Sequence, residues 1–221
     1  MKRIEDKVDE KGFRRIWEYE IVNGYEYDTC CGLVDKSGQE VIPCKYQNIL
    51  GFFNGQPLSC VQCNGKWGYI NEEGREVVPC IYDFAEDRFY CGLATVEKDG
   101  KWGAINSVGQ VIVPCKYDKS IIYHDNLAGT RLNGKCGCID TKGNIIISFK
   151  YDYASVMGQN RICVKLNGKY GLIDYRGNQI TSCIYDGISD IMSGNRIEYL
   201  QGSVRGFMDL EGNTIQVFYA G

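Results

Sequence analysis

Residues suited to acid–base chemistry are few in this chain of 221 residues. Its single histidine, His124, is followed directly by Asp125, and a histidine beside a carboxylate can act as a general base. No serine or cysteine stands in a recognisable nucleophile motif, and the sequence contains no Walker loop, HExxH motif or GxSxG elbow. We therefore interpret His124 as an ordinary residue of a connecting segment and predict that the protein is not an enzyme.

Carboxylates leave one catalytic alternative open. Glu86, Asp87 and Asp125 lie in irregular connecting segments of the sequence. Two carboxylates that converge at the spacing found in hydrolases could cleave a glycoside or a phosphoester. A hydrolase that uses these carboxylates is therefore the alternative to a non-catalytic protein.

The twelve cysteines raise the question of metal and redox chemistry. Cys60 and Cys63 form a CxxC pair, but a zinc site needs four ligands, usually from two such pairs, and a matching second pair is missing. One repeat-equivalent position holds Cys44, Cys80, Cys115 and Cys183, with Phe149 in the copy between Cys115 and Cys183. A position that accepts Phe is typical of a buried apolar site, so we expect reduced core thiols, no metal site and no cofactor, with a redox or metal sensor as the weaker alternative.

The charge pattern limits the partners. The net charge is −3 and the longest basic run is Arg14-Arg15, which argues against nucleic-acid binding. The sequence has no run of 18 apolar residues that could span a membrane and no apolar signal peptide at its start, so we expect a cytoplasmic protein. Residues 1–15 mix both charges, and we interpret them as a solvated, charged leader.

A repeat appears in the spacing of the glycines. Six glycines are separated by 36, 35, 34, 34 and 35 residues: Gly32, Gly68, Gly103, Gly137, Gly171 and Gly206. In every copy a second glycine follows six residues later, an Asp or Asn three residues later and an apolar side chain two residues later. Six copies that agree at several fixed offsets indicate tandem repeats of about 35 residues.

One copy shows the local structure that such a repeat predicts. Leu93–Lys98 and Lys101–Asn106 are β-prone and flank Asp99-Gly100, a strong signal for a two-residue hairpin turn. An Asx turn that ends at Gly109 leads into Val111–Val113. Each unit is thus predicted to be a three-stranded antiparallel meander, followed by a linker of roughly ten residues that fits one helical turn or a fourth edge strand.

Units this small must share a core with their neighbours. We therefore predict an all-β fold of six tandem three-stranded repeats in a propeller-like ring, with an open β-solenoid as the alternative. The predicted single repeat domain covers residues 16–221, with units at about 16–50, 51–86, 87–121, 122–155, 156–190 and 191–221. Asp83, Asp118, Asp152 and Asp186 recur directly after the repeat tyrosine, and we expect them to accept backbone hydrogen bonds.

The motifs resemble a known family. Gly65–Asn71 and Gly100–Asn106, each with a Lys-Trp-Gly core, and the continuation Glu76–Asp83 are similar to the signature of bacterial WG-repeat (KWG-repeat) proteins. The tryptophan is replaced in four copies, by Cys31, Cys136, Tyr170 and Arg205. The resemblance implies a β-rich repeat scaffold and supplies no catalytic residue.

The segments that break the repeat are the candidates for binding, because variable loops make the contacts in many repeat arrays. Several linkers present aromatic or cationic side chains, which are enriched at recognition sites. The candidate ligand- or partner-binding residues are Arg88, Phe89, His124, Arg161 and Arg196. We predict a binding scaffold that holds a protein or a small polar or anionic ligand on one face or in a central channel. The equivalent Arg161 and Arg196 could clamp an anion or pair with local carboxylates.

Aromatic side chains at the tryptophan position allow two interpretations. If exposed, Trp67, Trp102 and Tyr170 could stack on a sugar or a base. Replacement of the same position by Cys and Arg favours partial burial between repeats instead.

Overall fold

The computed structural model describes residues 1–52 and 55–219; Phe53 and Asn54 of the first variable linker and the last two residues lie outside that description. Within the described ranges every regular element is a β-strand, and the strands form six small antiparallel sheets. No helix among these residues is long and apolar enough to cross a membrane. The chain divides into two compact units, Met1–Cys115 and Lys116–Gly221. The all-β prediction is confirmed.

The first unit contains sheets 1 to 3. Sheet 1 consists of β1 (Lys2–Val8), β2 (Arg14–Val22), β3 (Tyr25–Val34) and β4 (Glu40–Tyr46). Sheet 2 consists of β5 (Asn48–Ile49), β6 (Ser59–Cys63), β7 (Lys66–Ile70) and β8 (Glu76–Tyr82). Sheet 3 consists of β9 (Phe84–Ala85), β10 (Leu93–Lys98), β11 (Lys101–Asn106) and β12 (Val111–Tyr117).

The second unit contains sheets 4 to 6. Sheet 4 consists of β13 (Ile122–His124), β14 (Leu127–Leu132), β15 (Lys135–Asp140) and β16 (Ile145–Tyr151). Sheet 5 consists of β17 (Tyr153–Gly158), β18 (Arg161–Leu166) and β19 (Lys169–Ile173). Sheet 6 consists of β20 (Gly187–Met192), β21 (Arg196–Gln201), β22 (Val204–Met208) and β23 (Thr214–Tyr219).

Of the two structures that the linkers allowed, the edge strand is the one observed. In sheets 2 to 6 the segment after the repeat tyrosine forms a strand, which gives sheets 2, 3, 4 and 6 four strands each, and sheet 1 gains its fourth strand from β1. In sheet 5 the fourth strand is reduced to isolated bridges from Tyr185 to Tyr170 and from Gln179 to Ile173. Since the linker strand belongs to the sheet that follows it, each repeat begins just after the tyrosine, a few residues before the predicted boundaries. The choice between a ring and a solenoid stays a prediction.

The expected charged leader is part of the repeat array. β1 pairs with β2 in antiparallel register, with Lys2 opposite Glu18 and Ile4 opposite Ile16. Its charges are matched by acidic groups, for instance Arg3 with Asp28 at 3.0 Å. The prediction of a leader outside the fold was therefore wrong, because the mixed charges pair across strands.

The repeat glycine lies against a β-bulge. A Cβ at Gly68 would lie 2.5 Å from the carbonyl oxygen of Val78 and 2.7 Å from the carbonyl carbon of Pro79, which a side chain cannot tolerate. The register between β7 and β8 shifts at this point. The same close approach of backbone recurs at Gly32, Gly103, Gly137, Gly171 and Gly206. The glycine spacing therefore reflects one steric requirement repeated in every sheet.

The aspartate after the repeat tyrosine joins consecutive repeats. Asp152 accepts a hydrogen bond from the backbone N–H of Asn167, in the hairpin turn of its own repeat, at 3.0 Å. It also pairs with Lys135 of the preceding repeat at 2.8 Å, and this lysine holds the pKa of Asp152 below its usual value. Equivalent backbone bonds are accepted by Asp83, Asp118 and Asp186. The prediction that these aspartates accept backbone hydrogen bonds is confirmed.

Candidate functional site

Within each unit, a sheet packs one face on the repeat that follows it, and this face is here called its forward face. In the first unit, Leu58, Cys60 and Tyr69 of sheet 2 are buried against Ala94 and Ile105 of sheet 3. In the second unit the forward face of sheet 5 contributes Cys163 and Leu172 to a cluster with residues of sheet 6. Because these positions are repeat-equivalent, the same offsets identify the forward face of sheet 6.

The forward face of sheet 6 departs from this apolar pattern. The equivalent positions hold Arg196, Glu198, Arg205, Phe207 and Gln216, and Phe218 lies on the same face because it stands opposite Arg205. Arg196 stands where sheets 2 to 4 bury a leucine, and Arg205 stands at the tryptophan position. The side chain of Arg205 is 66% exposed and pairs with Glu198, while Phe218 is 42% exposed.

A groove runs along β20 on the last two repeats. Three adjoining depressions of about 300, 440 and 390 Å³ compose it. The first and second share Gly187, Ile188 and Ser189, and the second and third share Glu198 and Arg205. The shared lining residues make the depressions neighbours along β20, so an extended ligand could contact more than one of them.

The first depression, here called the polar pocket, is lined by Tyr153, Ser155, Cys163, Tyr170, Asp186 and Asp190 together with β20 backbone. Tyr153 is 42% exposed and its ring meets that of Tyr170 edge-on, with centroids 6.0 Å apart. The ammonium of Lys165 lies 4.6 Å from the ring centroid of Tyr170. Burial, with a smaller contribution from Asp190, raises the pKa of the Cys163 thiol to about 12, so this thiol is neutral at physiological pH.

A β-bulge positions Asp190 in the polar pocket. Ile188 pairs with Tyr199 and Ile191 with Ile197, so that Ser189 and Asp190 together stand opposite one residue of β21. The hydroxyl of Ser189 accepts the backbone N–H of Glu198 at 3.0 Å, which satisfies the donor that the bulge leaves without a ladder partner. Bulges re-aim side chains next to functional sites in many proteins. Among the described residues no ion pair is formed by the Asp190 carboxylate.

Two of the binding residues expected from the sequence belong to the first unit. Arg88 is exposed, as expected. Phe89 is only 9% exposed and packs its ring on Tyr69 at 5.8 Å. Phe89 therefore differs from the expected surface contact, because its ring completes the core between sheets 2 and 3.

His124 lies at the end of β13 in the second unit, and its side chain is 59% exposed. Its Nδ1 is 3.5 Å from Oδ2 of Asp125, and the same oxygen accepts a hydrogen bond from the hydroxyl of Tyr175 at 3.1 Å. Burial and then the bond to Asp125 raise the pKa of Tyr175 to about 12. These three side chains connect repeat 4 to repeat 5. The contacts of the Asp125 carboxylate are with a histidine and a tyrosine rather than with a second carboxylate.

Arg161 is held inside the second unit. It occupies the position at which Leu58, Leu93 and Leu127 are buried, and its side chain is 12% exposed. Nε donates to the carbonyl of Leu210, Nη1 to the carbonyl of Asn160 at 3.0 Å, and Nη2 lies 3.3 Å from Glu211. Of the two alternatives for this arginine, pairing with local groups is the one that the structure favours over an open anion clamp.

Arg196 differs from its repeat equivalent. It is exposed, and its guanidinium carbon lies 5.2 Å from the ring centroid of Phe207. The structure thus places Arg196 on the forward face of sheet 6, beside the groove, whereas Arg161 is enclosed. The offset that relates the two arginines in the sequence does not reveal that one side chain is enclosed and the other exposed.

The carboxylates of the catalytic alternative are divided between the two units. In the first unit, the pKa of Glu86 is raised by partial burial and by a hydrogen bond with Asp87. Carboxyl groups in direct contact are closer than the roughly 5–9 Å at which glycoside hydrolases hold their catalytic pair. Asp125 belongs to the second unit. The described residues contain no group of three or more side chains placed to hold a metal ion.

Eleven of the twelve cysteines are buried or half-buried, whereas Cys91 is exposed, and the side chains at the tryptophan position also contribute to packing. All twelve cysteines are free. Cys80 is half-buried beside Gly68 and directs its thiol to the carbonyl of Val61 at 3.8 Å. Trp102 is half-buried against Phe84 at 5.5 Å. These side chains fill spaces around the bulge, and Tyr170 is the tryptophan-position aromatic that also lines the groove.

Comparison with known proteins gives a family match. A family model described as "WG containing repeat" matches residues 32–67, 67–102, 102–136, 137–170 and 170–203. No curated protein matches the sequence. Among solved structures, the chain is similar to a crystal structure of the eukaryotic initiation factor, with 12% identity, a TM-score of 0.48, and coverage of 94% of this chain and 64% of that one.

Two further solved structures are similar to the chain over its length. AztD of Citrobacter koseri has 10% identity and a TM-score of 0.42, with coverage of 99% of this chain and 71% of that one. The AfRom2 CNH domain has 9% identity and a TM-score of 0.37, with coverage of 100% and 89%. At these values the likenesses carry no argument about binding or activity.

Proposed function

The chain belongs to the WG-repeat family, and from this premise we propose that it is a non-catalytic scaffold that binds a partner in the groove along β20. The observation that carries the proposal is the loss of repeat symmetry there. Where earlier repeats bury Leu58 and Cys60 and half-bury Trp67, sheet 6 presents the exposed Arg196 and Arg205 and the partly exposed Glu198 beside adjoining depressions of about 300 to 440 Å³. Polar side chains grouped around a concave surface with aromatic walls are typical of binding sites.

The chemistry of the described side chains supports binding over catalysis. His124 and Asp125 are both more than half exposed, and the hydroxyl that reaches Asp125 belongs to Tyr175, whose pKa is raised to about 12. A tyrosine with such a pKa is a poor nucleophile near neutral pH. The second carboxylate that a hydrolase would need is not among the contacts of Asp125 described above.

The nature of the partner follows from charge. The net charge of −3 and the absence of a long basic run lead us to propose a protein or small-ligand partner rather than a nucleic acid or a membrane. Thiols that are packed as apolar side chains are suited to a reducing compartment, so we propose a cytoplasmic protein.

Loss of groove side chains tests the proposal. The purified chain is screened against arrays of capped peptides and neutral oligosaccharides, and any ligand found is measured by calorimetry with wild type, Tyr153→Ala and Arg205→Ala. The control is Arg88→Ala, an exposed arginine of the first unit. Binding that weakens at least about tenfold in the groove variants and is unchanged in the control supports the groove. Binding that only Arg88→Ala weakens would move the site to the first unit.

A further inference from the structure

We propose that the polar pocket binds the cationic side chain of a lysine or arginine in an extended segment of a protein partner. The proposal rests on the function proposed above and names the ligand class of that groove. A cationic ligand differs from the anionic one that the sequence predicts. The Arg161 guanidinium is already paired with groups of its own unit, whereas Asp190 lines the groove.

The charge of the pocket is the first argument. Asp186 is neutralised by Lys169 and also accepts the backbone N–H of Gly202 at 2.7 Å. Glu198, at the adjoining depression, is neutralised by Arg205. Asp190 has no ion-pair partner among the described residues, so its carboxylate is free to pair with a cation in the polar pocket. A cationic side chain can form this pair, whereas an anionic group is repelled by the carboxylate and a neutral sugar forms no ion pair with it.

The aromatic wall is the second argument. Tyr170 already holds the ammonium of Lys165 at 4.6 Å, which shows that its ring is oriented for a cation. Tyr153 meets Tyr170 edge-on and remains 42% exposed, so it offers ring surface to the pocket. A long aliphatic stem with a charged tip, as in lysine or arginine, can pack on this ring while its tip reaches a carboxylate.

The form of the groove is the third argument, and it favours a peptide over a free amine. β20 is an outer strand of sheet 6, so its backbone groups on one side lack a neighbouring strand. Beyond the polar pocket the groove continues into the depression lined by Ile188, Tyr199 and Leu200. An extended peptide can pair with an outer strand while alternate side chains enter pockets beside it. We therefore expect a basic residue with an apolar neighbour.

A charge series tests the proposal directly. Capped hexapeptides of one sequence carry Lys, Arg, norleucine or Glu at the central position, and binding is measured by calorimetry at low salt, with chitohexaose as the neutral sugar. The variants are Asp190→Asn and, as the matched control, Glu211→Gln, which removes the same charge from an exposed residue of the same unit. Thermal melting confirms that each variant is folded.

The Lys and Arg peptides are expected to bind at least about tenfold more tightly than the norleucine and Glu peptides, and Asp190→Asn should remove that preference while Glu211→Gln retains it. Equal affinity for all four peptides, or an unchanged preference in Asp190→Asn, would overturn this inference. If peptides bind without charge preference and Tyr153→Ala weakens their binding, the proposed binding groove is supported and only the inference about a cationic side chain fails. If chitohexaose alone binds, the ligand class is wrong. If no probe binds, the inference and the proposed groove fail together.

Discussion

Arg161 reaches from repeat 5 to repeat 6 and donates a hydrogen bond from Nε to the backbone carbonyl of Leu210. Its repeat equivalents in sheets 2 to 4 are buried leucines, so the arginine replaces an apolar contact with a polar link between repeats. Leucine and arginine thus fill the same position between repeats, leucine by apolar contact and arginine by hydrogen bonds.

Removal of Arg161 therefore affects stability rather than binding. Arg161→Ala should lower the free energy of unfolding by about 1–3 kcal/mol, because it leaves buried space and an unpaired carbonyl. Arg161→Leu should cost less, since leucine fills this position elsewhere. Urea unfolding followed by fluorescence measures the difference. Arg196→Ala is the control, and a loss as large as that of Arg161→Ala would show that Arg196 is equally enclosed.

The glycine of the signature is predicted to be irreplaceable. A Cβ at Gly68 would lie 2.5 Å from the carbonyl oxygen of Val78, so Gly68→Ala should destabilise the chain by about 2 kcal/mol or more. At Gly187 an added Cβ would meet only the Cβ of Leu200, at 3.9 Å. Gly187→Ala is thus the matched control, and equal melting temperatures for the two variants would contradict the steric explanation.

The contacts of Asp152, which join consecutive repeats, lead to a prediction about stability. Asp152 accepts a backbone N–H and pairs with Lys135, whereas Lys135 contributes only the ion pair. Asp152→Ala should therefore lower the melting temperature more than Lys135→Ala does. Raising the salt concentration should reduce the effect of the lysine substitution more than that of the aspartate substitution, because exposed ion pairs are screened. Identical effects of both substitutions would mean that the backbone bond contributes nothing.

The contact of Tyr175 with Asp125 predicts a pH dependence. The folded state raises the pKa of Tyr175 from its ordinary value near 10 to about 12. A raised pKa favours the neutral phenol in the folded state, so this contribution to stability is full below pH 10 and is lost as the pH rises from about 10 to 12.

Melting temperatures of wild type and Tyr175→Phe between pH 8 and pH 12 measure this contribution. Buried cysteines titrate in the same range, but they are common to both proteins and cancel in the comparison. The gap between wild type and variant should shrink above about pH 10. A gap that stays constant up to pH 12 would show that the pKa of Tyr175 is not raised.

Much of the repeat could be predicted because its signals are local. Asn64 and Gly65 have φ values of 51° and 74°, as the hairpin signal requires. Asp174 accepts the backbone N–H groups of Arg176 and Asn178 at 2.9 and 2.7 Å, which forms the Asx turn expected three residues before a glycine. Such turns depend on three or four consecutive residues, so the sequence suffices.

The features that were missed depend on distant residues. β1 is charged and reads as a tail, and only its pairing with β2 makes it a strand. Burial of Phe89 and Arg161 follows from the neighbouring repeat, which the residue type does not reveal. Asp190 reaches the groove through a bulge in β20 that depends on pairing with β21, and no local sequence signal marks it.

The most direct test of the account is where a bound lysine peptide protects the chain. Hydrogen–deuterium exchange of the wild-type protein, with and without the Lys hexapeptide at saturation, should show protection concentrated in residues 187–192 and 153–158, with no change in residues 84–98 of the first unit. Protection confined to the first unit, or to the turns around His124 and Tyr175, would contradict the assignment of binding to the groove along β20.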